Sequence, residues 1–238
     1  MQIVAPDVRT RVVNIPCVRA NPYQELLYRH AAPRYGLAAG DKAMLADPEG
    51  PLARGEARLL HLHWDDRIFG RGDDVAANRR RARRVLDTLA AFRRAGGGIL
   101  WTIHNRRAHH EIDGATFHEA RAALCDLAHV IHVHAPHAAA HMVETYGADP
   151  ARIRVIAHPS YLGAYEPAAV TLSRPMPAGG PRDFLFFGTF RKEKGADALL
   201  GAARIMTRHG AAYRLRMIGR AFGGSRRLLR RFGDNPDV

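Results

Sequence analysis

The chain has 238 residues, 47% of them hydrophobic and 25% charged, enough for one well-packed core and part of a second at the usual ~100–200 residues per domain. Its two cysteines, Cys17 and Cys125, stand far apart with no signal-peptide pattern ahead of them, which leaves a disulfide framework without support and makes a reducing, cytoplasmic setting the expectation. No apolar run approaches the ~20 residues of a membrane-spanning helix, while a net charge of +13 suits an anionic partner: nucleic acid, a phosphorylated substrate or an acidic lipid surface.

Short apolar runs alternate with amphipathic stretches, the pattern of a parallel sheet covered by helices, so the predicted class is α/β. Residues 11–15 read as a first strand. Asn21 then caps a helix with Pro22 at its first position, placing Tyr23, Leu26, Leu27 and His30 on one face. Residues 43–46 are a candidate second strand and 59–63 a clearer third. Asp74 caps a helix in which Ala82, Val85, Leu86, Leu89 and Phe92 recur at helical spacing, and Gly96-Gly97-Gly98 stops it. The same helix carries Arg79, Arg80, Arg81, Arg83 and Arg84, a solvated face or a contact to an anionic membrane surface. Residues 99–103 form a continuous apolar run of the kind buried on both faces of a parallel sheet. A helix from about Ala115 with Phe117, Ala120, Leu124 and Leu127 inward, a strand at 130–134, a helix at 137–146 ended by Gly147, and a strand at 153–157 bring the strands to six. Pro175, Pro177, Gly179 and Gly180 then mark a linker. The predicted division is a Rossmann-like domain over 1–167, a linker over 168–182 and the start of a second Rossmann-like domain over 183–238. That second part holds strands at 184–187 and 213–218, a helix with Ala196, Leu199, Leu200, Ala203 and Met206, and a short basic helix at the end.

Ligands of open α/β sheets lie beyond the carboxyl ends of the strands, and three of these predicted ends are polar. They are His63-Trp64-Asp65-Asp66, His104-Asn105 and His158-Pro159-Ser160-Tyr161. His104, an imidazole whose pKa suits neutral pH, is the leading catalytic candidate; Asp65, Asp66, His110 and Glu111 are alternative bases. His61 and His63 on one strand, with His104, His109 and His110, admit a rival reading as a metal-dependent hydrolase, because alternate strand residues share a face and imidazole binds zinc. Against it, the barrel usually built around such a pair needs ~250 residues. No dinucleotide or Walker pattern occurs, so no cofactor is expected, and the basic stretches lack interleaved aromatics, which argues against nucleic acid. A non-catalytic basic binding protein is the remaining alternative.

The stretches Asn21-Pro22-Tyr23-Gln24-Glu25-Leu26-Leu27-Tyr28, Leu60-His61-Leu62-His63-Trp64, Trp101-Thr102-Ile103-His104-Asn105 with His110-Glu111, and Ile156-Ala157-His158-Pro159-Ser160-Tyr161-Leu162-Gly163-Ala164-Tyr165 resemble, in this order, a bacterial glycosyltransferase family of the two-Rossmann-domain (GT-B) kind. It is related to glycosyltransferase family 4 and associated with exopolysaccharide or glycolipid assembly. The resemblance implies an N-terminal domain that receives a saccharide or lipid-linked acceptor, with Asn21, His63, Trp64, Asn105, His110, Glu111, His158 and Tyr161 around the cleft and His104 and Asp65 at the chemistry. It also implies a second domain that holds a UDP- or GDP-sugar. Gly188, Arg191, Lys194 and Gly195 of Phe184-Leu185-Phe186-Phe187-Gly188-Thr189-Phe190-Arg191-Lys192-Glu193-Lys194-Gly195 match the segment that approaches the donor phosphates. The acidic residues that hold ribose and sugar in the family have no matching position here, so the expectation is a truncated donor half and a chain inactive by itself. The expected location is cytoplasmic, peripheral to the inner membrane face.

Overall fold

The computed structural model describes residues 10–31, 35–47, 49–50, 52, 54, 57–69, 74–108, 113–175, 180–190 and 194–220. They belong to two compact units, Met1–Leu172 and Ser173–Val238.

In the first unit the strands β1 (Thr10–Ile15), β2 (Tyr35–Ala39), β3 (Leu59–Leu62), β4 (Gly98–Thr102), β5 (Val130–Val133) and β6 (Ile153–Val155) form one sheet in the order β2-β1-β3-β4-β5-β6. Every neighbouring pair is parallel, which requires crossover connections. These are supplied in part by helices α1 (Tyr23–Tyr28), α2 (Val75–Arg94), α3 (Gly114–Leu127) and α4 (Pro136–Tyr146). The chain is thus α/β with a Rossmann-like parallel sheet.

The two faces of this sheet differ in chemistry because side chains alternate along a strand. One face carries the cross-strand rows Val13, Leu60 and Ile99, and Ile15, Leu62, Trp101 and Ile131. These residues are buried in one core with Ala82, Val85, Leu89 and Phe92 of α2 and Phe117, Ala120 and Leu124 of α3. Near the carboxyl ends of the strands the opposite face instead carries Asn14, His61, Thr102 and His132, all buried.

Local signals placed the ends of α2, α3 and α4 well, whereas α1 begins at Tyr23 with Pro22, not Asn21, at its cap position. Asp74 Oδ1 accepts the Ala77 N–H at 2.9 Å to open α2, and Gly147, at φ +68°, ends α4 in the left-handed conformation. Asp113 caps α3 through the Thr116 N–H at 3.1 Å. Two expectations are corrected. Residues 43–46 are not a strand: a 3-10 turn, Lys42–Leu45, starts there under the Asp41 carboxylate, and β2 lies earlier. Tyr35–Ala39 is an edge strand of alternating exposed and half-buried residues with a glycine and two alanines, so it has no apolar run to announce it. On α1, Tyr23 and Gln24 are buried while His30 is exposed beyond the helix end, so the expected inward face holds at Tyr23 and fails at His30.

Within the region expected as linker, Ala168–Leu172 forms a short helix, α5. The second unit holds the parallel pair β7 (Arg182–Phe187) and β8 (Tyr213–Ile218) and the helix α6 (Ala196–Arg208). Leu200, Ala203 and Leu215 form its small core. The expected terminal basic helix lies outside the described residues. Among the described residues no helix is long and apolar enough to cross a membrane. The exposed face of α2 presents Arg79, Arg80, Arg83 and Arg84, while Arg81 turns its Nε–H to the Ile68 carbonyl at 2.9 Å.

Removing the α2 cap leaves an N–H of the first turn unpaired. Asp74→Ala should lower stability by about 1 kcal/mol in urea melts, and Asp74→Asn, which keeps the acceptor, by a few tenths.

Candidate functional site

The polar strand ends converge. His63 follows β3, His104 follows β4, His134 follows β5 and His158 follows β6, and Tyr23 of α1 is set among their rings. Its centroid lies 4.7 Å from that of His104, 5.0 Å from His158, 5.4 Å from His134 and 6.0 Å from His63. Tyr23 is 1% exposed, so the cluster closes over it like a small core. Asn21 ties two ends together: its Oδ1 accepts the Tyr23 N–H at 3.0 Å and the Tyr161 hydroxyl at 2.6 Å.

Trp64 completes the arrangement. It is held at φ 41° and ψ 59°, a left-handed conformation that bulky side chains rarely adopt and that carries ~1–3 kcal/mol of strain. In that conformation its ring stacks on His104 with centroids 4.2 Å apart and planes 14° from parallel.

Two chains of hydrogen bonds fix the imidazole tautomers. The first starts at Tyr28, whose hydroxyl meets His61 Nδ1. His61 Nε2 contacts Thr102 Oγ1 at 2.7 Å, Thr102 Oγ1 contacts His132 Nδ1 at 3.0 Å, and His132 Nε2 reaches the Ile156 carbonyl at 3.0 Å. A carbonyl only accepts, so His132 carries its proton on Nε2 and the direction of every earlier bond follows: Tyr28 donates to His61, His61 to Thr102, Thr102 to His132. His134 also donates to the Ile156 carbonyl, through Nδ1 at 3.1 Å. The second chain ends on Asn14 Oδ1, which accepts the His63 Nε2–H at 3.0 Å; His63 Nδ1 then accepts the His104 Nε2–H at 3.1 Å.

Burial keeps these imidazoles neutral. Desolvation, reinforced by the neighbouring imidazoles, holds His61 and His63 well below the usual histidine range and pushes His104 down to about 2. His132 and His134 are lowered for the same first reason. A pKa suited to neutral pH, expected for His104 from its residue type, is therefore corrected: as placed, its ring is a hydrogen-bonding group and a very weak base.

Asp65 has a different setting from the one its catalytic candidacy implied. It is 1% exposed, and its oxygens receive Arg121 Nε at 2.6 Å and Nη2 at 3.1 Å. Arg121, fully buried on α3, also donates to the carbonyls of Arg106 at 3.0 Å and Asn105 at 2.8 Å and to the Tyr146 hydroxyl at 3.5 Å, with Phe117 beneath the guanidinium at 4.4 Å. Burial pushes the Asp65 carboxyl up while the guanidinium pulls it back. Burial would lower the Arg121 pKa, but Asp65 and Tyr146 hold it above its usual value. The pair is a clamp between the loops after β3 and β4.

A cavity of about 500 Å³ lies beside this cluster, lined by His104, Asn105, Arg106, His134, His137 and Glu144 among others. Asn21, His63, Trp64, His104, His158 and Tyr161 are thus brought together, Asn105 lines the cavity, and His110 and Glu111 lie outside the described residues. Among the described residues no three of His, Cys, Asp and Glu are arranged to hold a metal ion, despite the density of imidazoles. In the second unit Gly188, at φ +134°, and Gly195, at φ +74° as the cap of α6, occupy conformations that favour glycine; Lys194 is exposed and Arg191 lies outside the described residues. Residue-by-residue reading missed Tyr23 as the hub, Arg121, Asn14 and the second histidine pair. The spacing His132-x-His134, repeating His61-x-His63 on another strand, was the available signal. Comparison with known protein families and with curated proteins returned no match.

Two outcomes follow. Arg121→Met strands a buried carboxylate and should cost about 3–5 kcal/mol in urea melts; Arg121→Lys, lacking the planar fork, should not restore the loss. For His61 and His63 the folded pKa lies below the unfolded value near 6.5. Unfolded chains therefore take up protons that the native state refuses, so stability is full above that pH and falls as pH drops through it. The slope should be up to ~1.4 kcal/mol per pH unit for each imidazole, read from denaturation midpoints at pH 7.5 and 5.5.

Proposed function

We propose that this chain is the acceptor side of a GT-B glycosyltransferase and the beginning of its donor side, transferring sugar from a UDP- or GDP-sugar to a saccharide or lipid-linked acceptor. The observation that carries the reading is the meeting of the four stretches that resemble that family. Asn21 and Tyr23, His63 and Trp64, His104, and His158 and Tyr161 are drawn from up to 140 residues apart and share one hydrogen-bonded and stacked cluster at the carboxyl edge of the sheet. Its chemistry suits sugars: aromatic faces for the apolar side of a pyranose, and neutral imidazoles for its hydroxyls.

In this reading the acceptor hydroxyl is oriented by hydrogen bonds at the cluster, so that its oxygen bonds the anomeric carbon as the bond from that carbon to the nucleoside diphosphate breaks, the departing phosphate oxygen taking up the hydroxyl proton. Positioning of this kind is a large part of what an active site contributes. Because His104 is a very weak base, the reading assigns it orientation and polarisation, and a retaining transfer, which needs no side-chain base of that form, fits better than an inverting one. On the donor side, Gly188 and Gly195 let a diphosphate approach the backbone, with Lys194 and Arg191 to neutralise it and the α6 amides to receive it. Asp197 in the first turn of α6 opposes that arrangement. A cytoplasmic enzyme resting through α2 on the anionic inner face of the membrane belongs to the same proposal.

Trp64 is at the cluster, whereas Trp101, the other of the two tryptophans, is fully buried in the core. Titration of the chain with saccharides should give a saturable fluorescence change that Trp64→Phe removes, and in sugar-transfer assays of a form with a complete donor domain His104→Ala should reduce turnover by ~10²-fold. A chain that binds no saccharide, or transfer indifferent to His104→Ala, would overturn the assignment.

A further inference from the structure

The segment between β6 and α5 is attached to the sheet edge at two points of unequal strength. At its start it is pinned: the Ile156 N–H donates to the Val133 carbonyl at 2.9 Å, and the Ile156 carbonyl accepts from His132 at 3.0 Å and His134 at 3.1 Å. Residues 157–165 then form neither helix nor strand, and the hydrogen bonds of His158, Leu162 and Ala164 stay within the segment. Among the described residues one hydrogen bond carries the segment back to another part of the chain, from the Tyr161 hydroxyl to Asn21 Oδ1 at 2.6 Å. The outer side is open, with Leu162 43% and Tyr165 77% exposed.

The same segment helps to cover the hub. The His158 ring lies 5.0 Å from that of Tyr23 and 5.1 Å from that of His134, and Tyr161 lies 5.4 Å from His158. Tyr23 and His134 Nε2 are both buried. Asn21 Oδ1 also accepts the Tyr23 N–H, and a backbone N–H can only donate, so the carboxamide keeps its oxygen in place whether or not Tyr161 is bound to it.

We infer that residues 157–165 are a strap closed over the ring cluster, latched by the Tyr161–Asn21 hydrogen bond, and that releasing the latch uncovers Tyr23 and His134 to a ligand. The inference rests on the cluster being the acceptor site of the reading above and adds how that site is entered. Opening keeps the three hydrogen bonds at Ile156 and gives up one hydrogen bond and the packing of His158, so the segment swings from Ile156 while the sheet stays whole. A ligand hydroxyl that donates to Asn21 Oδ1 takes the place of the Tyr161 phenol, so latch and ligand compete for one acceptor. A site that is closed most of the time binds with its affinity reduced by the fraction open, and weakening the latch therefore tightens binding.

The test compares the full chain with Tyr161→Phe, which keeps the ring and removes the latching hydroxyl, and with His158→Ala, which keeps the latch and thins the cover. Acylation by diethyl pyrocarbonate, followed residue by residue with mass spectrometry, reads the accessibility of each neutral imidazole. His61, buried on the sheet and bonded to Tyr28 and Thr102, reports opening of the fold as a whole. His134 should be acylated about tenfold faster in Tyr161→Phe, and faster also in His158→Ala, with the His61 rate unchanged in both. Calorimetric titration with the methyl glycosides of glucose, galactose and mannose should show Tyr161→Phe binding more tightly, by up to about tenfold. An unchanged His134 rate in Tyr161→Phe, or equal acceleration at His61, would overturn the strap. Glycoside binding left unchanged or weakened by Tyr161→Phe would overturn the latch, the weakened case making Tyr161 a ligand contact. Faster acylation of His134 with no glycoside bound by any of the three chains would support the strap and remove the saccharide reading.

Discussion

The guanidinium of Arg121 is the constraint on which the site depends. Burying a charged group with five N–H donors is expensive unless each donor is met. Here Asp65 takes two, the Asn105 and Arg106 carbonyls one each, and the Tyr146 hydroxyl the last, while Phe117 lies against the plane. Asp65, Asn105 and Arg106 come from the loops after β3 and β4, and Tyr146 from the end of α4. Satisfying the arginine fixes both loops, and residues immediately beside the clamped positions are Trp64 and His104. The stack of these two rings is thus a consequence of an ion pair on the far side of the same loops.

Imidazoles at adjacent strand ends create a second constraint. Packed at this density, they cannot share the site as cations, since each added charge would be desolvated and repelled by the next. Neutral rings in ordered tautomers resolve the conflict: the Ile156 carbonyl, which only accepts, orders the chain through His132 and the His134 ring, and the Asn14 Oδ1 set against His63 orders the pair His63 and His104. The polar sheet face is therefore as specified as the apolar one, by hydrogen-bond direction instead of by shape. It is also exposed to acid in a way that the apolar face is not.

Much of the fold was legible in the chain. The strand at 99–103, the Asp74 cap and the Gly147 stop each express a local preference that tertiary structure had no reason to override, and the observed elements fall within a residue or two of the expected ones. The edge strand Tyr35–Ala39 escaped notice because it buries little and so needs no apolar run. At the site, histidines after three strands could be read as neighbours because parallel strands bring their carboxyl ends to one edge. Asp65 was legible as a residue in the right loop, but its role was not, because nothing local distinguishes a carboxylate facing a ligand from one facing a buried arginine 56 residues later.

The sequence by itself determined the α/β class, the positions of most helices and strands, and the gathering of polar residues at one edge of the sheet, since these follow from periodicity, capping and the geometry of parallel strands. Only the tertiary structure decided that Tyr23 is the hub of the ring cluster, that Arg121 withdraws Asp65 into a clamp, and that the imidazoles are neutral rings in ordered tautomers. Protonation, tautomer and partner are properties of an environment assembled from distant segments, and no residue carries that environment in its own neighbourhood of the chain.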